Sequence, residues 1–145
     1  DLLMVCSPGG HFAEARALVD GLDEVDYKFV LHLPPELPPE LLNRVIVAPH
    51  AERDIRVLRQ LTFAIRCIWR ERPRVIVSTG ALIAVTFGLA GKLFGAHFIY
   101  VESPTRVNTP SLAARLSYYL ADEMYVRHRP LLKFFPKAKY CSGER

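Results

Sequence analysis

The chain is poor in cysteine and in long apolar runs, and it lacks the signatures of several common nucleotide-binding folds. Cys6, Cys67 and Cys141 are odd in number and show no C-x-x-C spacing. That argues against a disulfide framework or structural zinc and fits a reducing compartment. The longest apolar stretch runs from Ala81 to Gly91 and stops at Lys92, well short of the roughly 20 residues of a membrane-spanning helix. No signal peptide is read. The chain starts at Asp1 and runs straight into Leu2-Leu3-Met4-Val5, which leaves room for a trimmed segment in front. G-x-G-x-x-G is missing, and no Gly-Lys-Ser/Thr follows a glycine loop, so NAD binding and a P-loop are disfavoured.

What is present is a core-forming composition. Half of the 145 residues are hydrophobic, enough for one globular domain, expected to span residues 1–145. A charged fraction of 23% with a mean hydropathy of +0.12 excludes intrinsic disorder. The net charge of +4 permits anionic partners without identifying one.

Short, continuous apolar runs at Leu2–Cys6, Tyr27–Leu33, Arg44–Val47, Arg74–Val77, His97–Val101 and, more weakly, Glu123–Val126 read as strands buried on both faces. Helical patterns lie at Phe12–Leu22, Glu52–Glu71, Ala81–Phe94 and Pro110–Ala121. The alternation predicts an α/β, Rossmann-like, doubly wound parallel sheet. Only the second and third strands have no helix between them. There four prolines in the seven residues Pro34 to Glu40 predict a stiff loop, at most followed by a short helical turn.

Candidate functional residues fall where strands pass into helices. In parallel sheets that edge carries the ligand sites. Ser7-Pro8-Gly9-Gly10-His11 follows the first strand. Its glycines let a phosphate or sugar approach the backbone, and the helix start supplies free N–H donors. Pro8 removes one such donor. The same residues also suit a plain tight turn with His11 capping the helix. Ser78-Thr79-Gly80-Ala81 repeats the arrangement after the fourth strand, where ordinary N-capping by Ser78 or Thr79 is the competing reading. Glu102-Ser103 ends the fifth strand. Its carboxylate suits acid–base work or sugar hydroxyls, or an ion pair with Arg106. A parallel sheet would gather His11, Thr79 and Glu102 on one edge.

Taken in order, Ser7-x-Gly9-Gly10-His11, Ser78-Thr79-Gly80-Ala81, Val101-Glu102-Ser103 with Arg106-Val107, and Pro110-Ser111-Leu112 resemble one family. It is the membrane-associated subunit of the two-chain UDP-GlcNAc transferase of dolichol-linked oligosaccharide synthesis, with its bacterial PssD-like polysaccharide relatives. The resemblance implies the acceptor-side half of an inverting GT-B glycosyltransferase, similar to the N-terminal half of MurG. It implies a UDP-sugar donor (UDP-GlcNAc or UDP-glucuronate), a polyprenyl-diphosphate-linked acceptor, a separate donor-binding subunit, and a peripheral position at the cytoplasmic membrane face. It makes His11 the candidate base and Glu102 a second functional residue. Ser7, Gly9, Gly10, Ser78, Thr79, Gly80 and Arg106 become substrate-binding candidates. No cofactor is implied beyond the donor. No metal is expected, because an Asp-x-Asp pair is missing. A histidine can deprotonate a hydroxyl near neutral pH.

Glu52 to Arg74 holds seven arginines against three carboxylates. Arg56, Arg59, Phe63, Arg66 and Arg70 share one helix face, while Ile55, Leu58, Leu61, Ile65, Ile68 and Trp69 line another, expected to pack on the sheet. An exposed Phe63 among arginines suits an anionic membrane surface; a solvated amphipathic face is the alternative. One aromatic in the stripe is too few for a nucleic-acid platform. The basic, aromatic tail from Arg127 to Lys139 is expected to face a partner or to pack as a terminal segment, and the isolated chain is expected to self-associate. A self-contained nucleotide-sugar enzyme and a noncatalytic membrane scaffold stay open as other functions.

Overall fold

The computed structural model describes residues 1–22, 24–32, 37–51 and 55–142. All strand pairs among them are parallel, and the sheet order is β3-β2-β1-β4-β5-β6-β7. The strands are β1 (Leu2–Val5), β2 (Tyr27–Leu31), β3 (Val45–Val47), β4 (Val75–Ser78), β5 (His97–Val101), β6 (Glu123–Val126) and β7 (Lys139–Tyr140). The helices are α1 (Gly10–Val19), α2 (Arg56–Glu71), α3 (Leu82–Phe94) and α4 (Leu112–Ser117). The predicted doubly wound α/β class is the observed one. Winding reverses between β1 and β4, which is the place where such sheets open a crevice.

The sheet separates two cores. Leu3, Val5, Ile76, Phe98 and Tyr100 pack against Ala64, Ile68, Ile83, Ala84 and Phe87 of α2 and α3. Met4, Phe29 and Leu31 pack against Phe12, Ala15 and Val19 of α1. Small residues let α3 lie directly on the strands: a Cβ at Gly91 would stand 2.5 Å from Ile76 Cδ1, and one at Gly88 would run into the Phe98 ring. On the α1 side, no helix among the described residues covers β4 to β6. Val77, Ile99, Val101 and Tyr125, with Leu18 and Leu22, line an open trough of roughly 290 Å³. Parallel sheets are ordinarily covered on both faces.

Differences from expectation cluster at element ends. After β2, residue Leu33 and the first part of the proline loop lie outside the described residues, as does the expected start of α2 at Glu52. A 3-10 helix does follow the loop at Pro39–Arg44. The last helix was expected to reach Ala121 but leaves α-geometry at Ser117. There Tyr119 and Leu120 bond to Leu116 and Ser117, three residues back, which tightens the final turn. The basic tail packs rather than dangles. Leu131 and Phe135 are buried, and β7 pairs with β6. Lys139 Nζ donates to Glu123 Oε2 at 2.6 Å and Tyr125 OH to the same oxygen at 2.8 Å. Lys139, then Tyr125 and His97, hold the Glu123 carboxyl down at about 2 by hydrogen bonding.

The largest correction concerns α2, which is turned relative to the predicted orientation. Its buried residues are Gln60, Ala64, Cys67 and Ile68. Phe63 is half-buried, its ring 6.4 Å from Phe87. Ile55, Leu58 and Trp69, expected inside, are 81%, 62% and 64% exposed. Gln60 explains the orientation: its Nε2 donates to Pro49 O at 3.1 Å and its Oε1 accepts from Thr86 Oγ1 at 3.1 Å. The polar residue and its small neighbours are what fit closely against α3. Arg56, Arg59, Arg66 and Arg70 are exposed as expected, on the flank of an outward apolar ridge.

Candidate functional site

A cleft of roughly 420 Å³ opens at the carboxyl edge of β1, β4 and β5. Gly10, His11 and Glu14 of α1 face Ala81 and Leu82 across it, with Glu102, Ser103, Thr105, Arg106 and Ser111 from the turn after β5. Of the expected residues, Gly10, His11, Glu102 and Arg106 therefore line one cavity. Ser7 and Gly9 stand outside its lining. Ser78, Thr79 and Gly80 form its buried support.

That support acts through hydrogen bonds. Ser78 Oγ donates to Val5 O at 2.6 Å and ties β4 to β1, while Thr79 Oγ1 donates to His11 O at 2.8 Å and fixes the start of α1. Neither hydroxyl caps α3, nor does His11 cap α1. Both helices start on residues with no side-chain cap, Gly9 (φ 84°) and Ala81 (φ 67°). By contrast, α4 is capped by Ser111 Oγ, which accepts from Ala114 N at 3.0 Å. Two uncapped helix starts thus face one cleft, and uncapped N–H groups at a positive dipole end favour an anion such as a phosphate. Ala81 holds a backbone conformation that is normally glycine's, as strained turns at binding sites do.

His11 is partly shielded. Its side chain is 30% exposed, and the ring lies against Gly80, where a Cβ would stand 2.7 Å from His11 Cε1. Gly80 also has φ 130°, so the position demands glycine for both reasons. His11 Nδ1 is buried and has no hydrogen-bond partner among the described residues. Nε2 is the other ring nitrogen available for proton transfer.

Glu102 is 1% exposed and its oxygens are engaged. Oε1 accepts from Ser103 N at 3.1 Å and Oε2 from Ser111 N at 3.0 Å; Ser111 Oγ reaches both at 3.2 and 3.1 Å. The carboxylate shapes the turn and positions the α4 cap. The alternative reading, an ion pair with Arg106, is not formed among the described residues. Tyr100 OH lies 3.5 Å from Glu102 Oε1, and burial first, then the Glu102 charge, pushes the phenol above its ordinary range. Burial also pushes the Cys6 and Cys67 thiols up to about 12 and 11, which leaves them as neutral core groups rather than nucleophiles. Among the described residues no cluster of His, Cys, Asp and Glu could hold a metal ion. Glu14 was missed from sequence. Its signal was its spacing of three from His11 on a helix, which puts both on one face.

The sheet order and the position of this cleft define a Rossmann-like half of the GT-B architecture. The fold is similar to Acinetobacter baumannii MurG, with a TM-score of 0.67 at 18% identity over 87% of this chain and 41% of that one. It is likewise similar to the UDP-GlcNAc 2-epimerase of Methanocaldococcus jannaschii, with a TM-score of 0.70 at 10% identity over 97% and 44%. The chain belongs to the family described as "Oligosaccharide biosynthesis protein Alg14 like", which matches residues 43–143. It is 36% identical over 88 residues to the "UDP-N-acetylglucosamine transferase subunit ALG14" of Kluyveromyces lactis, covering 55% of this chain and 36% of the relative. It is also 29% identical over 98 residues to the "UDP-N-acetylglucosamine--N-acetylmuramyl-(pentapeptide) pyrophosphoryl-undecaprenol N-acetylglucosamine transferase" of Staphylococcus haemolyticus, covering 68% and 27%. The chain thus spans about a third of the length of these curated relatives.

Proposed function

We propose that this chain is the acceptor-side subunit of a two-component inverting glycosyltransferase. It binds a polyprenyl-diphosphate-linked saccharide and receives a sugar from UDP-GlcNAc or UDP-glucuronate held by a donor-binding partner. The observation that carries this reading is the cleft in which His11 lies between two uncapped helix starts. The acceptor diphosphate sits against those N–H groups and Arg106. His11 Nε2 takes the proton of the acceptor hydroxyl as its oxygen attacks the anomeric carbon from the face opposite UDP. The bond from that carbon to the diphosphate oxygen breaks, and UDP leaves with the electron pair. That the Kluyveromyces lactis relative is a transferase subunit supports a separate donor half.

The test is to purify the tagged chain from its native cells and identify its companions. A stoichiometric UDP-sugar-binding polypeptide is expected, and adding it should restore transfer to a polyprenyl-diphosphate acceptor. Transfer by the chain alone, or recovery with no companion, would point to a self-contained enzyme.

The same reading places the chain at the cytoplasmic membrane face. No helix among the described residues is long and apolar enough to cross a membrane. Instead, Ile55 at the start of α2, Leu58 and Trp69 within it, and Leu93 and Phe94 of α3 are exposed, and Trp69 and Phe94 share one groove with Arg72. Arginines beside apolar side chains suit anionic lipid, at about 1 kcal/mol per cation. Replacing both Arg59 and Arg66 with Glu is expected to weaken sedimentation with phosphatidylglycerol vesicles at least tenfold, and Trp69→Ser to weaken it further. Phe63→Ala should lower thermal stability and leave vesicle binding intact, because Phe63 packs on Phe87. Equal binding by wild type and the arginine variant would remove the membrane role from α2.

A further inference from the structure

Glu14 leaves α1 on the same face as His11. Its carboxylate is 18% exposed. Oε1 accepts from Ser103 Oγ at 3.1 Å, and Oε2 stands 3.8 Å from His11 Nδ1. That nitrogen is the buried one with no hydrogen-bond partner among the described residues. No Lys or Arg among those residues lies within ion-pair distance of Glu14. Glu102, also in the cleft, is committed to Ser103 and Ser111, and the His11 ring occupies the space a side chain at Gly80 would need. Arg106 is the cation of the cleft lining.

From this geometry we infer that Glu14 is the positioning residue of His11. Its carboxylate accepts a hydrogen bond from Nδ1–H, holds the neutral ring as the Nδ1–H tautomer, and leaves the Nε2 lone pair facing the cleft. The inference rests on the base role proposed for His11. A separation of 3.8 Å is too long for a hydrogen bond, so the pairing requires the Glu14 side chain to rotate toward the ring. Catalytic hydrogen bonds are often long before substrate binds, and an unpaired buried N–H costs enough to drive the closure. The proton of the acceptor hydroxyl ends on Nε2, and the Nδ1 proton stays on the ring. Glu14 takes no proton; its charge offsets the imidazolium. A residue that only tied α1 to the turn after β5 through Ser103 would have none of these effects.

The test reads the tautomer directly, by long-range proton–nitrogen correlation on the chain with labelled histidine. The measurement is made at about pH 9, above the ordinary histidine range near 6.5. Wild type should show His11 as Nδ1–H. Glu14→Ala should revert it to Nε2–H, the form favoured by free imidazole side chains, while Ser103→Ala keeps Nδ1–H. In the assembled transferase Glu14→Ala should lower kcat roughly 10²-fold, the scale of a general-base contribution, with KM nearly unchanged and partial rescue by Glu14→Asp. The same tautomer in wild type and Glu14→Ala overturns the pairing, whatever the enzyme does. A changed tautomer with undiminished transfer in both Glu14→Ala and His11→Ala upholds the pairing and overturns the base role instead.

Discussion

His11→Ala should reduce transfer by the assembled enzyme on the order of 10³-fold, within the span that general-base catalysis contributes, and leave the fold in place. The two halves of this expectation have separate origins. The loss follows from removing the nitrogen that accepts the hydroxyl proton. The survival follows from how the segment is held. Thr79 Oγ1 bonds the backbone carbonyl of residue 11, and Gly9 O accepts from Phe12 N and Ala13 N, each at 3.1 Å. None of these contacts uses the imidazole. Transfer assays beside a thermal melt check both halves, and a variant with full activity would end the catalytic assignment of His11.

Glu102→Ala should do the reverse, acting first on stability. The substitution strands Ser103 N and Ser111 N, both of which donate to the buried carboxylate, and removes the acceptor that aligns the α4 cap. Buried donors left without partners cost about 1–3 kcal/mol each, so a loss of about 3 kcal/mol is expected. For a domain of this size that lowers Tm by roughly 10 °C. Glu102→Gln is expected to fall between, since one amide oxygen replaces two carboxylate oxygens. Differential scanning calorimetry on the isolated chain decides it. A Tm within a degree or two of wild type would mean that the clamp contributes little.

The strand–helix alternation was legible because strands buried on both faces are continuous apolar runs, and that signal survives without knowing any partner. The meeting of His11 and Glu102 was legible for a related reason: parallel strands deliver every following turn to one edge, although Thr79, expected with them, supports His11 from behind rather than lining the cleft. What burial selects was not legible. In α2 and at its start, apolar Ile55, Leu58 and Trp69 face outward while Gln60 is 1% exposed, because a residue that can satisfy Pro49 and Thr86 fits the helix contact better than a bulky side chain. Periodicity finds apolar stripes but does not choose between two of them. The two-residue β7 is equally hidden, since Lys139-Tyr140 becomes a strand only by pairing with β6. The separate duties of two neighbouring carboxylates, Glu102 clamping a turn and Glu14 beside an imidazole, exist only in three dimensions.

The open trough over β4 to β6 and the exposed ridge of α2 and α3 lie on opposite sides of the sheet, with the cleft on the edge between them. The sheet is therefore a partition. A body seated in the trough and a surface beneath the ridge meet different atoms of the chain. The thickness of the partition sets the stand-off between whatever rests on each side.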